Sequence, residues 1–234
     1  MSSTKFEFKV TQSDGKARLG IMQTGHGTVP TPAFMPVATQ GSVKSLSPTE
    51  LTEVGTHIIL SNAYHLYLRP GIDLIEDMGG LHKFMNWNGP ILTDSGGYQV
   101  FSLASLINLN DEGVKFRSHI DGTRHLFTPE NSIAYQERLG VDIAMCLDQL
   151  VASNKGTELI KNAMQRTHKW AERCKVAHNS SEQALFGIVQ GGISETLRAQ
   201  SAQFITNLEF DGYAIGGLAV GETKSDMYKI IDYM

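Results

Sequence analysis

Short apolar runs alternate with longer segments of helical pattern along this 234-residue chain, and this alternation constrains its fold more than any other feature. The runs lie at residues 33–37, 57–61, 90–93, 141–147, 185–189 and 212–215. Helix-start signals follow them, such as Ser47-Pro48-Thr49-Glu50, where serine and glutamate can form a capping box. Strands that alternate with helices form parallel βαβ units, and short strands that are apolar throughout have both faces covered. The sequence therefore predicts an α/β fold.

Two segments depart from this alternation. Residues 6–10 and 19–21 place apolar side chains at every second position around a Ser-Asp-Gly turn at 13–15, which predicts an N-terminal hairpin. Residues 113–127 predict an inserted hairpin, because Asp121-Gly122 is a strong turn signal between two strands. We also expect a long helix over residues 157–178 that buries a stripe of Leu159, Ala163 and Trp170.

Two architectures compete for these units: an open doubly wound sheet and a (β/α)8 barrel. No GxGxxG motif follows the first strand, which weakens the dinucleotide-binding version of the open sheet. A barrel needs eight units and typically about 250 residues, whereas this chain shows six units. We therefore expect an incomplete (β/α)8 barrel that lacks its last two strands. Without a low-complexity linker, residues 1–234 are expected to form a single catalytic domain.

Composition and charge restrict the expected location of the protein and the kinds of binding site that it can contain. No apolar run is long enough to span a membrane and no signal-peptide pattern is present, so the cytoplasm is the expected location. A formal net charge of −4 means that a nucleic acid would be bound by a local patch. The two cysteines, Cys146 and Cys174, exclude a four-cysteine zinc site within this chain and make a disulfide scaffold improbable. No spacing of histidines and acids suggests a metal, and none is expected here.

Four successive strands end in residues that offer polar groups, either side chains or exposed glycine backbone. Asp94 ends the third, Asp148 follows the fourth, Gln190 follows the fifth, and the Gly216-Gly217-Leu218 run follows the sixth. Any one of them could be an ordinary turn former. In a barrel, however, the carboxyl ends of the strands converge on the active site, so four such ends indicate a shared polar site.

The residue types of this set indicate a planar ligand. An aspartate accepts two neighbouring donors, a glutamine donates and accepts, and a glycine amide donates. This pattern matches a heterocycle with adjacent N–H groups and a carbonyl, such as guanine. In the motif Thr93-Asp94-Ser95-Gly96-Gly97-Tyr98-Gln99 the glycines would let a flat ligand approach, and Tyr98 could stack on it.

Five motifs resemble a known family, the tRNA-guanine transglycosylases, also called queuine tRNA-ribosyltransferases. They are SNAYHLYLRPG from residue 61, TDSGGYQ from 93, LD at 147–148, FGIVQGG from 186 and GYAIGGLAVGE from 212. The resemblance implies a (β/α)8 barrel, a cytoplasmic transferase of tRNA processing. The implied reaction replaces guanine at the wobble position of tRNAs with GUN anticodons by the 7-deazaguanine preQ1, in queuosine biosynthesis. Val220 resembles the bacterial form, and the full-length form is expected to be a homodimer.

The resemblance also implies roles for individual residues, each by matching position. Asp94 corresponds to the general acid/base and Tyr98 to the stacking residue, with Ser95, Gly96 and Gly97 lining the site beside them. The implied mechanism is a double displacement through a covalent ribosyl intermediate, as in retaining glycosidases.

Recognition of the base is implied for the later strand ends. Asp148 would bind the pyrimidine edge of guanine, Gln190 and the Gly217 amide would bind its carbonyl, and Leu218 would meet the substituent of the incoming base. Gln149-Leu150 departs from the Glu-Cys of many bacterial members, which affects the fine shape of the pocket. The family's nucleophilic aspartate and its three-cysteine, one-histidine zinc subdomain, which binds a structural Zn²⁺, match no residue here.

Several function classes remain open, and the first two differ in whether the chain catalyses a reaction. The first is an enzyme, the catalytic barrel of this transglycosylase, for which we expect little activity from these 234 residues alone. The alternative is a non-catalytic base-binding fragment or partner subunit. An aldolase-like barrel acting on small sugars is a weaker third class, because no lysine stands at an identified strand end.

Overall fold

A computed structural model describes residues 6–103 and 105–234 of the chain. They divide into two compact units. The first comprises the residues up to Ser95 together with Ala134–Ala144 and Asn179–Ala184. The second comprises Gly96–Ile133, Met145–His178 and Leu185–Met234. None of the helices in the described ranges combines the length and apolar character that a membrane span requires.

The strands, in chain order, are β1 (Glu7–Asp14), β2 (Ala17–Thr24), β3 (Gly27–Thr31), β4 (Val37–Ala38), β5 (Ile59–Asn62), β6 (Ile91–Asp94), β7 (Ser105–Leu109), β8 (Val114–Arg117), β9 (Arg124–Phe127), β10 (Ile143–Met145), β11 (Ala184–Val189) and β12 (Gly212–Ile215). The α-helices are α1 (Pro48–Glu53), α2 (Ala63–Leu68), α3 (Ile72–Asp77), α4 (Leu81–Met85), α5 (Gly97–Ser102), α6 (Pro129–Leu139), α7 (Thr157–Ala177), α8 (Glu195–Asn207) and α9 (Lys224–Tyr233).

Six strands hydrogen-bond in the order β12-β11-β10-β6-β5-β4. The pairs β4–β5, β5–β6, β6–β10 and β11–β12 are parallel. Strands β6, β10 and β11 are almost wholly buried, as expected of apolar runs whose two faces are both covered. Helices follow the strands along the chain, which confirms the predicted class: six βα units of an incomplete (β/α)8 fold.

In the first unit, the predicted N-terminal hairpin forms from β1 and β2, and β3 adds a third antiparallel strand that the sequence did not reveal. The turn between β1 and β2 uses Gly15, whose φ of +58° suits glycine. The next strand was predicted at 33–37 but is confined to Val37–Ala38. Pro32 and Pro36 lack the N–H donor that a ladder needs. The Pro36 carbonyl accepts the Leu60 N–H at 3.0 Å, and the strand itself begins at Val37.

Helices α1 to α4 pack against the parallel strands of the first unit. The predicted capping box opens α1, where the Ser47 and Glu50 side chains each bond the other's backbone N–H. The core behind these helices joins Ile59 and Ile91 of the sheet to Leu66, Ile75 and Leu81.

A buried carboxylate stands at the start of β10 in the first unit. Asp142 Oδ1 accepts the His26 backbone N–H at 3.0 Å and lies 2.9 Å from His26 Nδ1. Oδ2 accepts the Ile91 backbone N–H at 2.9 Å and lies 3.2 Å from His82 Nε2. Burial alone would raise the pKa of Asp142, but the hydrogen bonds from His82 and Ile91 and the charge of His26 outweigh it and lower the pKa to about 2. Asp142 thus links three separate segments of this unit.

The second unit contains the inserted sheet and two long helices. Strands β8 and β9 pair around the predicted Asp121-Gly122 turn, and β7 adds an antiparallel strand that was not predicted. Helix α7 buries Ile160, Ala163 and Trp170, whereas Leu159 is 55% exposed, so the predicted stripe was wrong at that residue. Ser194 is the N-cap of helix α8, and its hydroxyl accepts the Leu197 N–H.

Candidate functional site

A pair of buried polar side chains lies at the carboxyl ends of β10 and β11 in the second unit. Asp148 is three residues past β10, and Gln190 directly follows β11. Gln190 Nε2 donates to Asp148 Oδ2 at 2.6 Å, with the two residues 4% and 8% exposed. A buried, charge-assisted hydrogen bond of this length fixes both side chains.

Glycine backbone lies against this pair from two directions. A Cβ on Gly97 would lie 2.6 Å from the Asp148 carbonyl oxygen and would overlap the Asp148 carboxylate. Strands β11 and β12 pair with Val189 opposite Ile215, which places Gly216 and Gly217 beside Gln190. A Cβ on Gly216 would lie 3.0 Å from Gln190 Nε2, and one on Gly217 would overlap Gln190 Oε1. Only glycine allows such close approach of the Asp148 and Gln190 side chains.

The chemistry of this group is that of a donor–acceptor edge. Asp148 supplies an acceptor, Gln190 supplies an amide of both kinds, and the glycine backbone supplies N–H groups. A flat ligand with adjacent N–H donors and a carbonyl could replace the Gln190–Asp148 hydrogen bond with two matched ones. The structure thus brings together Gly97, Asp148, Gln190 and Gly217 of the predicted set, all within the second unit.

Asp94 belongs to the first unit, where it ends β6. Parallel pairing places Asn62 of β5 opposite Asp94, and Asn62 Nδ2 donates to Asp94 Oδ2 at 2.6 Å. The same Asn62 accepts the His65 backbone N–H at 3.0 Å and so caps α2. Asn62 therefore holds the half-buried carboxylate from a side chain that is itself fixed. Its role was not predicted, although the motif that contains it was noted.

The remaining predicted residues are sequence neighbours of Asp94, Gly97 and Gly217. Ser95 is buried in the first unit, and Gly96 has a φ of +83° where α5 begins in the second. Tyr98, on the first turn of α5, is 52% exposed, and Leu218 is half-buried. The stacking role of Tyr98 and the substituent-facing role of Leu218 stay predictions.

Sequence reasoning missed Glu222, which closes the loop after β12. Its carboxylate accepts the Ala219 N–H and, at 3.0 Å, the Val220 N–H. Partial burial opposes ionisation, but the backbone hydrogen bonds outweigh it and lower the pKa of Glu222. The loop that carries Leu218 is thus tied by a carboxylate three residues beyond Ala219, a contact with no distinctive sequence signal.

Two observations bear on metals. His26, His82 and Asp142 place metal-ligating atoms within 4.8 Å of one another. However, the two imidazole rings stack with centroids 3.6 Å apart and planes 16° apart, so their nitrogen lone pairs lie in nearly parallel planes and do not converge. We interpret this cluster as a hydrogen-bonded link rather than an ion site.

The chain's cysteines do not fit the zinc that the resemblance implies. A three-cysteine set cannot be built from two, and both Cys146 and Cys174 are buried. Burial raises the pKa of Cys146.

Fold and site together define a class: an α/β protein of parallel βα units with a candidate polar site at the carboxyl ends of its strands. A family model described as "Queuine tRNA-ribosyltransferase" matches residues 13–234. The chain belongs to this family.

Curated relatives with the name queuine tRNA-ribosyltransferase agree with this assignment. The one from Thermoanaerobacter sp. (strain X514) is 56% identical over 233 residues, which cover 99% of this chain and 62% of the relative. The one from Fusobacterium nucleatum subsp. nucleatum is 54% identical over 230 residues, 97% of this chain and 62% of the relative. The one from Herpetosiphon aurantiacus is 52% identical over 227 residues, 97% of this chain and 58% of the relative. The chain therefore spans about three fifths of the length of these relatives.

Proposed function

We propose that this chain carries the base-recognition site of a tRNA-guanine transglycosylase. The reaction is glycosyl transfer, in which guanine at the wobble position of a tRNA is replaced by preQ1 during queuosine biosynthesis. The observation that carries the proposal is the buried Asp148–Gln190 pair enclosed by Gly97 and Gly217. Membership of the queuine tRNA-ribosyltransferase family supports it.

The pair discriminates guanine from adenine by the direction of its hydrogen bonds. Guanine presents two N–H donors that suit the Asp148 carboxylate and a carbonyl that suits the Gln190 amide and the Gly217 N–H. The ligand would exchange the 2.6 Å hydrogen bond between the side chains for bonds of the same sense. Adenine presents an acceptor where guanine has its ring N–H, so it would face the carboxylate with a lone pair.

Asp94 is our candidate for the general acid/base that serves the departing and incoming bases. Asn62 donates to one of its oxygens at 2.6 Å, which favours a fixed orientation of the carboxylate. In a double displacement a second carboxylate attacks the ribose, and we assign that step to no residue of this chain. Ser95, Gly96, Tyr98 and Leu218 keep the lining, stacking and substituent-facing roles that the family resemblance gives them.

The proposed partners follow from the reaction. A tRNA with a GUN anticodon would present its wobble base outside the stack, because a base within the stack cannot enter a buried site. With a formal net charge of −4, the chain would contact tRNA phosphates through local basic groups. A cytoplasmic location and a homodimer of the full-length form belong to the same proposal.

Calorimetric titration with guanine tests the site directly. Asp148→Asn replaces an acceptor by an amide that opposes the ligand's N–H groups, so guanine affinity should fall by about 100-fold. Asp111→Asn is the matched control, because this exposed aspartate of the second unit pairs with Arg166 and Lys169 instead. Equal guanine affinity in wild type and Asp148→Asn would refute the assignment, as would adenine binding as tight as guanine.

Incorporation of labelled guanine into unmodified tRNA separates the enzyme from the alternative of a non-catalytic base-binding fragment or partner subunit. Incorporation by the purified chain would establish exchange, and it should vanish in Asp94→Asn while guanine still binds. Guanine binding without incorporation would favour the non-catalytic reading. A crystal structure with guanine that shows no contact to Asp94 would remove Asp94 from its role.

A further inference from the structure

Helix α8 places two fully buried polar side chains under the loops that follow β11 and β12. Arg198 and Ser201 are three residues apart, so they share one face of the helix, and both are 0% exposed. An apolar side chain would be the inexpensive choice at such a position, because burying a guanidinium removes its hydration. Burial accordingly lowers the pKa of Arg198 to about 10, and the charge of Glu222 opposes this only in part. Because burial of this guanidinium is unfavourable, we look for its role in the polar contacts that it makes.

The Arg198 guanidinium donates to three backbone carbonyls. Nε donates to the Gly192 oxygen at 2.8 Å, Nη1 to the Val189 oxygen at 2.9 Å and Nη2 to the Gly217 oxygen at 3.3 Å. These carbonyls belong to the last residue of β11 and to the two loops that flank Gln190 and Gly217. One side chain therefore joins both loops of the candidate site.

The peptide between Gly216 and Gly217 is held on both sides by these contacts. On one side the Gly216 N–H donates to the Val189 oxygen at 2.9 Å, and on the other the Gly217 carbonyl accepts from Arg198. The Gly217 N–H, which the proposed function directs at the ligand's carbonyl, lies between these two anchors. Glycine has no Cβ to restrict its backbone, so such a peptide would rotate easily without them.

Gln190 is anchored to the same helix. Its backbone N–H donates to Ser201 Oγ at 3.0 Å, and Ser201 Oγ lies 2.9 Å from His168 Nε2. The His168 ring stacks on Phe204 at a centroid distance of 4.3 Å. Burial lowers the pKa of His168 to about 4, so at neutral pH the neutral ring can accept a hydrogen bond from the Ser201 hydroxyl.

We propose that Arg198 is a positioning residue for recognition of the ligand's carbonyl oxygen. By binding the carbonyls of Val189 and Gly217, it fixes the direction of the Gly217 N–H relative to the Gln190 amide. The inference rests on the proposed function, because it concerns the group of guanine that those two donors would meet. It extends that function by a residue that itself touches no ligand.

Loss of stability alone would not separate this role from ordinary packing, so the readout is a ratio of affinities. Guanine and 6-thioguanine share their N–H donors, but sulfur is a much weaker acceptor than oxygen. The ratio of guanine affinity to 6-thioguanine affinity therefore reports how well the donors of the site meet the atom bound to C6 of the purine. A merely structural arginine would change both affinities together and leave the ratio unchanged.

The experiment compares Arg198→Met with wild type by calorimetry with both purines. Guanine affinity should fall about tenfold, the value of one well-placed hydrogen bond, and 6-thioguanine affinity by less than about twofold. Arg173→Met is the matched control, since Arg173 also donates to two backbone carbonyls of the second unit, those of Asp111 and Glu112, far from Gln190 in sequence. It should lose stability without any change in the ratio.

Each outcome decides between the two proposals. An unchanged ratio in a folded Arg198→Met protein would overturn the positioning role while leaving the proposed function standing. Absence of guanine binding by wild type would instead refute the proposed function and the inference with it. If Arg198→Met does not fold, Arg198→Lys takes its place: a single ammonium group cannot span three carbonyls, so the ratio should still fall, and an unchanged ratio would again overturn the role.

Discussion

Strand β10 carries an aspartate near each end, and the two have different surroundings. Asp142 precedes the strand and Asp148 follows it by three residues, with exposed fractions of 3% and 8%. The oxygens of Asp142 meet two backbone N–H groups and two imidazoles of the first unit. Asp148 meets the amide of Gln190 and adjoins the backbone of Gly97 in the second unit.

The difference shows that the role of a buried aspartate depends on which end of a parallel strand it occupies. Carboxyl ends of barrel strands form ligand sites, whereas groups at amino ends serve stability. The surroundings follow this rule, because Asp142 is enclosed by the donors of its own scaffold and Asp148 by groups that a ligand could replace. We therefore expect the same substitution to lower mainly the stability of the protein at Asp142 and mainly the affinity for the ligand at Asp148.

Paired isosteric variants should show the largest effect. Asp142→Asn replaces one carboxylate oxygen by an NH2 donor that faces one backbone N–H and one imidazole, so it should lower the free energy of unfolding by about 3 kcal/mol or more. Asp148→Asn retains an oxygen that Gln190 can reach and should change it by less than about 1 kcal/mol. Urea denaturation of both variants measures this, and a similar loss in both would break the comparison.

Acid should act on Asp142 with a smaller effect. Its folded-state pKa of about 2 lies below the ordinary aspartate value of 3.8. The Asp142 carboxylate therefore stabilises the folded state above pH 4 and loses that contribution as the pH falls toward 2. The shift corresponds to about 2 kcal/mol. Because pH 2.5 still lies above the folded-state pKa, part of this contribution remains there, so the stability difference between wild type and Asp142→Asn, measured by urea denaturation at pH 6 and at pH 2.5, should shrink by about two thirds of that amount. A difference that is independent of pH would contradict the role.

The two imidazoles beside Asp142 should give the smallest effects. His82 is more enclosed than His26, with side-chain exposures of 12% and 43%. His82→Ala should therefore cost about 1–2 kcal/mol and His26→Ala about 0.5 kcal/mol, since exposed partners contribute less. His82→Gln keeps a donor near the Nε2 position and should recover part of the loss. The reverse order in thermal or urea denaturation would show that exposure does not rank these partners.

Much of the fold could be predicted because apolar runs and turn residues carry it. Strand β12 matches the predicted residues 212–215, and the capping box at Ser47 has both of its expected hydrogen bonds. The short helices α2 and α4 were missed, since five or six residues show too little periodicity. The residue before α4 is Gly80, which provides no side-chain cap. Leu159 was placed in the core although its neighbour Ile160 is buried instead, a phase error that one residue suffices to cause.

The candidate site was predictable only in part, for a related reason. Asp148, Gln190 and Gly217 stand at strand ends, which the sequence pattern reveals, and the structure groups them. Asn62, Arg198 and Ser201 act on a partner that is fixed by tertiary structure: a carboxylate on the next strand or backbone groups of distant loops. Backbone groups are the same in every residue, so no pattern of side chains announces such contacts.

The doubly anchored peptide at Gly216-Gly217 has a consequence for the conditions under which the site works. An amide N–H neither titrates nor carries a net charge, and counter-ions in solution do not neutralise it. Selection of an oxo group through such a donor should persist at salt concentrations and pH values that weaken contacts with phosphate. Selectivity for the base would then be retained under conditions in which the affinity for the nucleic acid falls.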